Sequence, residues 1–204
     1  MSPSRSIAEE LSRLQSACRA CTRCADEGII PSAAPRFQGR HDARFFLVGQ
    51  APGPVEVQED RPFAGRAGRE LGRWMARAGF ASEEEFRRLT YIAALMRCFP
   101  GRNPSGTGDR PPPGRAVRNC AGWLEAELAL LRPPVIVAVG QLAIRRFLGP
   151  GSLEERVGRT FGDDPVLVPL PHPSGQSRWL NDPANRERLE LALAALAGLR
   201  RRFA

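Results

Sequence analysis

The chain has 204 residues, of which 42% are hydrophobic and 25% charged, which suits one globular domain with a substantial core. No apolar run approaches the roughly 18 residues of a membrane span, and the polar N-terminus lacks the apolar segment of a secretory signal, so we expect a cytoplasmic protein with no membrane association. All 30 basic residues are arginine and the formal net charge is +8, which favours a polyanionic partner, although a GC-rich genome also explains arginine in place of lysine.

Apolar periodicity predicts alternating helices and strands along the chain. In chain order the predicted elements are a helix over 7–18, a strand over 45–48, a helix over 65–77, a short helix opened by the capping box at 82–85, a strand over 91–96, a helix over 116–131, a strand over 135–139, a helix over 141–148, a strand over 166–170 and a helix over 185–202. Residues 99–114 are dense in Pro, Gly, Ser and Asn and are predicted to form a long loop.

This alternation predicts an α/β fold, a single domain over residues 1–204 with a central four-stranded parallel sheet flanked by helices. Right-handed crossovers place the carboxyl ends of all parallel strands at one edge of the sheet. The Gly- and Pro-rich segments 49–53 and 171–175 each follow a strand. We therefore expect them to meet at that edge and to form a ligand site, as is usual for such folds.

Five cysteines suggest a metal centre. A disulfide framework is not expected in a cytoplasmic protein. Cys21 and Cys24 form a C-x-x-C clamp, Cys98 is expected to close the second strand, and Cys120 to lie near a helix start, where free N–H groups stabilise a thiolate. Cys18 makes a second C-x-x-C with Cys21, so spacing leaves the ligand pair open. It also leaves open the choice among zinc, an iron–sulfur cluster and buried, unliganded cysteines.

Three segments share the order and spacing of motifs in one known family. They are G-Q-A-P-G at 49–53, which continues to Glu56 and R-P-F-A-G-R-A-G at 61–68, the strand over 91–98 that ends in cysteine, and H-P-S at 172–174. Together they resemble the uracil-DNA glycosylase superfamily, closest to its iron–sulfur family 4, with family 5 next. The resemblance implies the uracil-DNA glycosylase-like α/β fold and a 4Fe-4S cluster, with zinc as the alternative. It implies that the cluster ligands are Cys21, Cys24, Cys98 and Cys120, which makes Cys18 an extra thiol.

Two positions depart from the family pattern. Family 4 has Glu where this chain has Gln50, which can orient water but cannot act as a general base. The strand residue that reads the uracil edge is Asn in the family and Ala94 here, so we expect weaker discrimination among bases. The loop that follows Cys98 is also longer than usual and contains no histidine.

The resemblance assigns roles to residues at the predicted edge. A glycosylase flips the target nucleotide into a pocket and stabilises the charge that develops as the base departs. His172 is expected to donate to the departing base. Glu56 is expected to orient water or stabilise charge on the sugar, with Glu59 and Asp60 as alternatives, and Gln50 to assist.

Further residues are assigned to the base pocket and to DNA. Phe63 is expected to stack on the flipped base. The expected base-pocket residues are Ala51, Pro52, Phe63 and Ala94. The expected DNA contacts are Ser174, Gly175, Arg178 and Arg66.

The sequence therefore predicts a monomeric, monofunctional DNA glycosylase that hydrolyses the N-glycosidic bond of uracil or a related deaminated base in DNA and initiates base-excision repair. The complete absence of lysine argues against Schiff-base lyase chemistry. One alternative, motivated by Gln50 and Ala94, is a weak or inactive relative that binds damaged DNA. Another is an unrelated nucleotide-binding α/β protein, but segment 49–53 lacks both the phosphate-loop and the dinucleotide-binding patterns.

Overall fold

Four buried strands form the centre of the fold in a computed structural model that describes residues 6–104, 108–174 and 178–204. These strands are β1 (Phe45–Gly49), β2 (Thr90–Ala94), β3 (Val135–Val139) and β4 (Val166–Leu170). They pair in parallel in the order β2-β1-β3-β4, and every strand residue is buried. Continuous burial is expected when helices cover both faces of a parallel sheet, so the predicted fold class is confirmed.

Helices cover both faces of the sheet. They are α1 (Ile7–Arg19), α2 (Arg23–Asp26), α3 (Pro54–Gln58), α4 (Arg66–Arg77), α5 (Glu83–Leu89), α6 (Gly114–Leu131), α7 (Gln141–Leu148), α8 (Leu153–Arg156) and α9 (Pro183–Phe203), with a 3₁₀ turn over Arg178–Asn181. Helices α4, α5 and α9 pack on one face of the sheet, while α1, α6 and α7 pack on the other. Within the described residues, no helix combines the length and apolarity needed to cross a membrane.

The predicted end of the second strand is wrong by two residues. Strand β2 ends at Ala94, where its partner β1 also ends, so Cys98 lies four residues beyond the strand and does not close it. The N–H groups of Leu95 and Met96 instead donate to the carbonyls of Gly49 and Gln50, both at 3.0 Å. These bonds fix the loop after β1 against the segment that leads to Cys98.

Several short elements were not predicted. Helices α2, α3 and α8 have only four or five residues each, too few for an apolar period to show. The most consequential is α3, because it begins directly after the 49–53 segment and contains Glu56.

Candidate active site and cysteine cavity

Two loops from opposite ends of the chain meet over a glycine at the carboxyl edge of the sheet. Gly140 follows β3 with φ +87°, and its N–H donates to the carbonyl of Leu170 at the end of β4 (2.8 Å). A Cβ built on Gly140 would overlap the side-chain amide of Gln50 and lie 3.2 Å from Cδ2 of His172. The structure therefore places Gln50, which follows β1, and His172, which follows β4, in one site. Gly140 was not predicted as a site residue, although its position directly after the third predicted strand was a signal in the sequence.

The environment of His172 selects one neutral tautomer. The backbone N–H of Ser174 donates to His172 Nδ1 at 3.2 Å, so Nδ1 is the acceptor and Nε2 carries the proton. Burial lowers the pKa of His172 below its ordinary value of 6.5. At neutral pH the site therefore presents an uncharged imidazole with an Nε2–H donor.

Phe63 is held in an uncommon backbone conformation beside the end of β1. Its φ is +53°, which is rare for a residue with a side chain and marks a position that its surroundings must enforce. A Cβ on Gly68 would overlap the Phe63 backbone, and Arg87 donates to the Phe63 carbonyl at 3.3 Å. The ring then lies against Gly49, whose Cβ position is 3.0 Å from the ring Cζ.

The other predicted pocket residues surround the same strand end. Ala94 is paired in register with Gly49 and is buried, so an alanine methyl stands where the family pattern has an amide. Pro52 is buried, whereas Ala51 is partly buried and packs toward the cysteine-rich cluster. The loop after β1 therefore separates the candidate active site from the cysteines.

Glu56 ties together the two halves of the first motif. One carboxylate oxygen accepts the N–H of Gly53 at 3.0 Å, and the other accepts the N–H of Gly65 at 2.8 Å. The side chain is buried, with only 8% of the residue exposed. Both carboxylate oxygens of Glu56 therefore hold backbone N–H groups in place, and its expected water-orienting role stays a prediction. Of the two alternatives, Glu59 is exposed, and Asp60 forms an ion pair with Arg36 at 3.2 Å.

The predicted DNA contacts lie on exposed or partly exposed elements. Arg66 is the first residue of α4 and Arg178 begins the 3₁₀ turn, and both are exposed. Ser174 is partly exposed, and its N–H is already bonded to His172. Gly175 lies outside the described residues.

All five cysteines line one small cavity on the α1–α6 side of the molecule. Cys18 comes from the end of α1, Cys21 and Cys24 from the turn into α2, and Cys98 and Cys120 from the chain after β2 and from α6. Only Cys21 is partly exposed; the other four are buried. In the part of the chain that the structure describes, no three His, Cys, Asp or Glu side chains are close enough to hold a single metal ion.

Cys120 does not lie close enough to the start of α6 for the helix terminus to stabilise a thiolate, contrary to the prediction. Cys120 is the seventh residue of α6, beyond the first turn in which the helix terminus stabilises a thiolate. Burial raises its pKa, and burial also raises the pKa of Cys98 to about 11. These thiols would lose their protons on binding a metal, which supplies the compensating positive charge.

A buried arginine also lines the cysteine cavity. Arg97 is 1% exposed, and its Nη1 and Nη2 bind the Glu127 carboxylate at 3.1 and 2.5 Å. Tyr91 donates to the same carboxylate at 2.9 Å. The Nε–H of Arg97 has no acceptor among the described residues. Since buried donors are rarely left unpaired, the cavity suits a group that is anionic and carries acceptors.

Comparisons with known proteins show which family the chain resembles. The profile of the uracil DNA glycosylase superfamily matches residues 36–197. The chain is 32% identical to a type-4 uracil-DNA glycosylase of Thermotoga maritima over 54% of this chain and 52% of that protein. It is 27% identical to a type-4 enzyme of Pyrobaculum aerophilum over 75% and 72%, and 37% identical to a type-5 enzyme of Thermus thermophilus over 57% and 55%. In the Thermotoga and Thermus comparisons the chain spans about half the length of the relative.

Proposed function

The chain belongs to the uracil-DNA glycosylase superfamily, and we propose that it is a monofunctional DNA glycosylase that removes uracil, or a related deaminated base, from DNA. The observation that carries this proposal is the meeting of Gln50 and His172 over Gly140, with the Phe63 ring at the adjoining strand end. The chain contains no lysine, so a Schiff-base lyase step has no amine side chain to use.

On the base side, His172 would stabilise the leaving group. As the bond between C1′ and the base nitrogen breaks, its electron pair moves into the base and accumulates on the carbonyl oxygens. A neutral imidazole with Nε2–H donates a hydrogen bond to such an oxygen, and it is fixed in that tautomer by Ser174. A preorganised donor aimed at developing charge is typically the largest catalytic contribution at sites of this kind.

Base selection would depend on shape and stacking more than on paired hydrogen bonds. The Phe63 ring offers an aromatic face, and stacking tolerates every base. Ala94 offers no amide to distinguish uracil from other bases. We therefore expect a broader range of deaminated bases, including hypoxanthine and xanthine, than a site with asparagine would accept.

We propose that the cysteine cavity is the site of a 4Fe-4S cluster. Its lining combines thiols from three chain regions with the unpaired Nε–H of Arg97, a donor that suits an anionic, thiolate-ligated cluster. Cys21, Cys24, Cys98 and Cys120 would hold the cluster, with zinc as the alternative occupant. When bound, it would act as a structural centre that fastens α1 and α2 to α6. Iron, sulfide and zinc contents of the protein purified without oxygen distinguish the two occupants.

DNA binding would use arginine side chains, which outnumber the acidic residues of the chain. Arg66 and Arg178 are exposed and would contact phosphates, and Ser174 and Gly175 would be further contacts to the DNA backbone. Affinity should fall steeply with salt concentration because each neutralised phosphate releases counterions. We propose that the protein binds DNA as a monomer.

A base-release assay tests the proposal. The full chain, loaded with iron and sulfide, is incubated with duplexes that contain uracil, hypoxanthine or xanthine, and free base is measured. We expect release of at least one base, with His172→Ala reduced on the order of 10²–10³-fold. No release from any duplex contradicts the proposal. Tight binding to uracil-DNA without release would instead support a damage-binding relative, which the substitutions at Gln50 and Ala94 motivate.

A further inference from the structure

The proposed mechanism requires a carboxylate on the sugar side of the scissile bond. Gln50 cannot accept a proton from water. Both oxygens of Glu56 are already engaged by backbone N–H groups, and Asp60 is paired with Arg36. A carboxylate with an oxygen free of these contacts is therefore a better candidate to orient and deprotonate the attacking water.

Asp109 reaches this region from the long loop before α6. Residues 101–103 lie alongside residues 108–110, with hydrogen bonds from Asn103 N–H to the Gly108 carbonyl (3.0 Å) and from Arg110 N–H to the Gly101 carbonyl (2.9 Å). The pairing places Asp109 opposite Arg102, and Arg102 Nη1 lies 3.3 Å from Asp109 Oδ1. The side chain remains 38% exposed and so accessible to water and ligand.

The second oxygen of Asp109 lies over the first motif. A Cβ built on Gly53 would be 3.2 Å from Asp109 Oδ2 and 2.8 Å from Glu56 Oε2. Glycine at position 53 therefore leaves space into which the Asp109 carboxylate extends. Glu56 Oε2 accepts the Gly53 N–H, and Asp109 Oδ2 lies close to the same glycine.

We infer that Asp109 is the catalytic residue that holds and deprotonates the attacking water, an inference that rests on the proposed glycosylase function. As the glycosidic bond breaks, its electron pair leaves with the base, which His172 stabilises. The water oxygen forms the new bond to C1′, and its proton passes to the Asp109 carboxylate and then to solvent. The released base anion is protonated by solvent, so the products are the free base and an abasic sugar.

The ion pair with Arg102 suits this role. It leaves Oδ1 bound to the guanidinium and Oδ2 directed toward Gly53, so the carboxylate is oriented without both oxygens being occupied. The competing structural explanation is that Asp109 only supports the start of α3. Such a role predicts lost stability, whereas a catalytic role predicts lost rate.

Single-turnover base release by the iron-loaded full chain tests the inference. Asp109→Asn should slow release on the order of 10²–10⁴-fold, as expected for loss of a general base, while the urea midpoint and the Kd for uracil-DNA stay near the wild-type values. Asp163→Asn, at an exposed carboxylate outside the site, is the matched control and should retain the wild-type rate. Arg102→Gln should lose far less activity than Asp109→Asn.

A smaller substitution guards against an effect of the asparagine amide. Asp109→Ser should be equally slow, and added formate, a small carboxylate, should restore part of its rate. If wild-type protein releases base and both Asp109 variants stay within threefold of its rate, the inference is wrong although the proposed function stands. A slow rate that tracks an equal loss of stability also overturns it. If the wild-type protein itself releases no base, the proposed function fails.

Discussion

Replacing Glu56 should lower the stability of the active-site loop, and base release should slow as a consequence. In Glu56→Ala, the N–H groups of Gly53 and Gly65 lose their acceptors, which lie at 3.0 and 2.8 Å in the wild-type protein. The Gly65 bond is buried, so water does not replace it, whereas the Gly53 bond is partly reachable. The helix that begins after Gly53 and the turn that holds Phe63 then lose their common anchor.

The expected magnitude follows from those two donors. A buried group left without a partner costs about 1–3 kcal/mol, so Glu56→Ala should lower the free energy of unfolding by about 2–4 kcal/mol. With a urea dependence of about 2 kcal/mol per molar, the midpoint should shift by roughly 1–2 M. Glu56→Gln keeps one acceptor oxygen and should lose about half as much.

Urea unfolding and base release measured on the same preparations check this prediction. Glu59→Ala is the matched control because its exposed carboxylate is three residues away. We expect an unchanged midpoint for the control and parallel losses of stability and rate for the Glu56 variants. A Glu56→Gln protein with the wild-type midpoint and almost no activity would refute the positioning role and restore a direct chemical one.

Three further predictions are independent of one another. Burial lowers the pKa of His172 in the folded protein, so the unfolded chain takes up a proton first as the pH falls. The free energy of unfolding should therefore decline as the pH falls below about 6.5. His172→Gln should remove that decline. Gly140→Ala places a methyl against the Gln50 amide at a positive φ and should slow base release about 100-fold. The double variant Arg97→Met, Glu127→Leu should remain folded, because apolar residues replace the buried ion pair and the main cost is about 1–3 kcal/mol for the Tyr91 hydroxyl left without its acceptor, yet it should retain less iron per chain than wild-type protein.

Matched controls separate these effects from general damage. His41→Gln removes the other histidine, which is exposed, and should leave the pH-dependent decline in place. Gly122→Ala adds a methyl inside α6 with no neighbour within 4 Å and should leave base release unchanged. An unchanged rate in Gly140→Ala, or full iron retention in the Arg97 double variant, would show that the respective geometry is not used.

Much of the fold could be predicted from sequence because its strands are short, continuous apolar runs. Buried parallel strands have this pattern, and the turns that follow β1 and β4 are marked by glycine and proline. The topology then brought Gln50 and His172 to one edge. The end of β2 was misjudged because Leu95 and Met96 are as apolar as the strand itself, and only their bonds to the loop after β1 reveal that the strand has ended.

The less predictable features depend on contacts between distant residues. Glu56 was expected to orient water or stabilise charge on the sugar, since nothing in the sequence shows that its carboxylate accepts from backbone N–H groups in two separate turns. Arg97 and Glu127 are 30 positions apart, and a charge pair buried beside thiols has no local pattern. Asp109 lies in a loop whose composition indicates only irregular structure.

The central claim is that the loops after β1 and β4 close over one extruded base. A crystal structure of the iron-loaded chain with a duplex that carries 2′-fluoro-arabino-uridine tests it most directly, because the fluorine slows bond cleavage by disfavouring positive charge at C1′. We expect the uracil ring to stack on Phe63, with a carbonyl oxygen within hydrogen-bond distance of His172 Nε2. A uracil that stays in the helix, or that is bound away from both side chains, would contradict it.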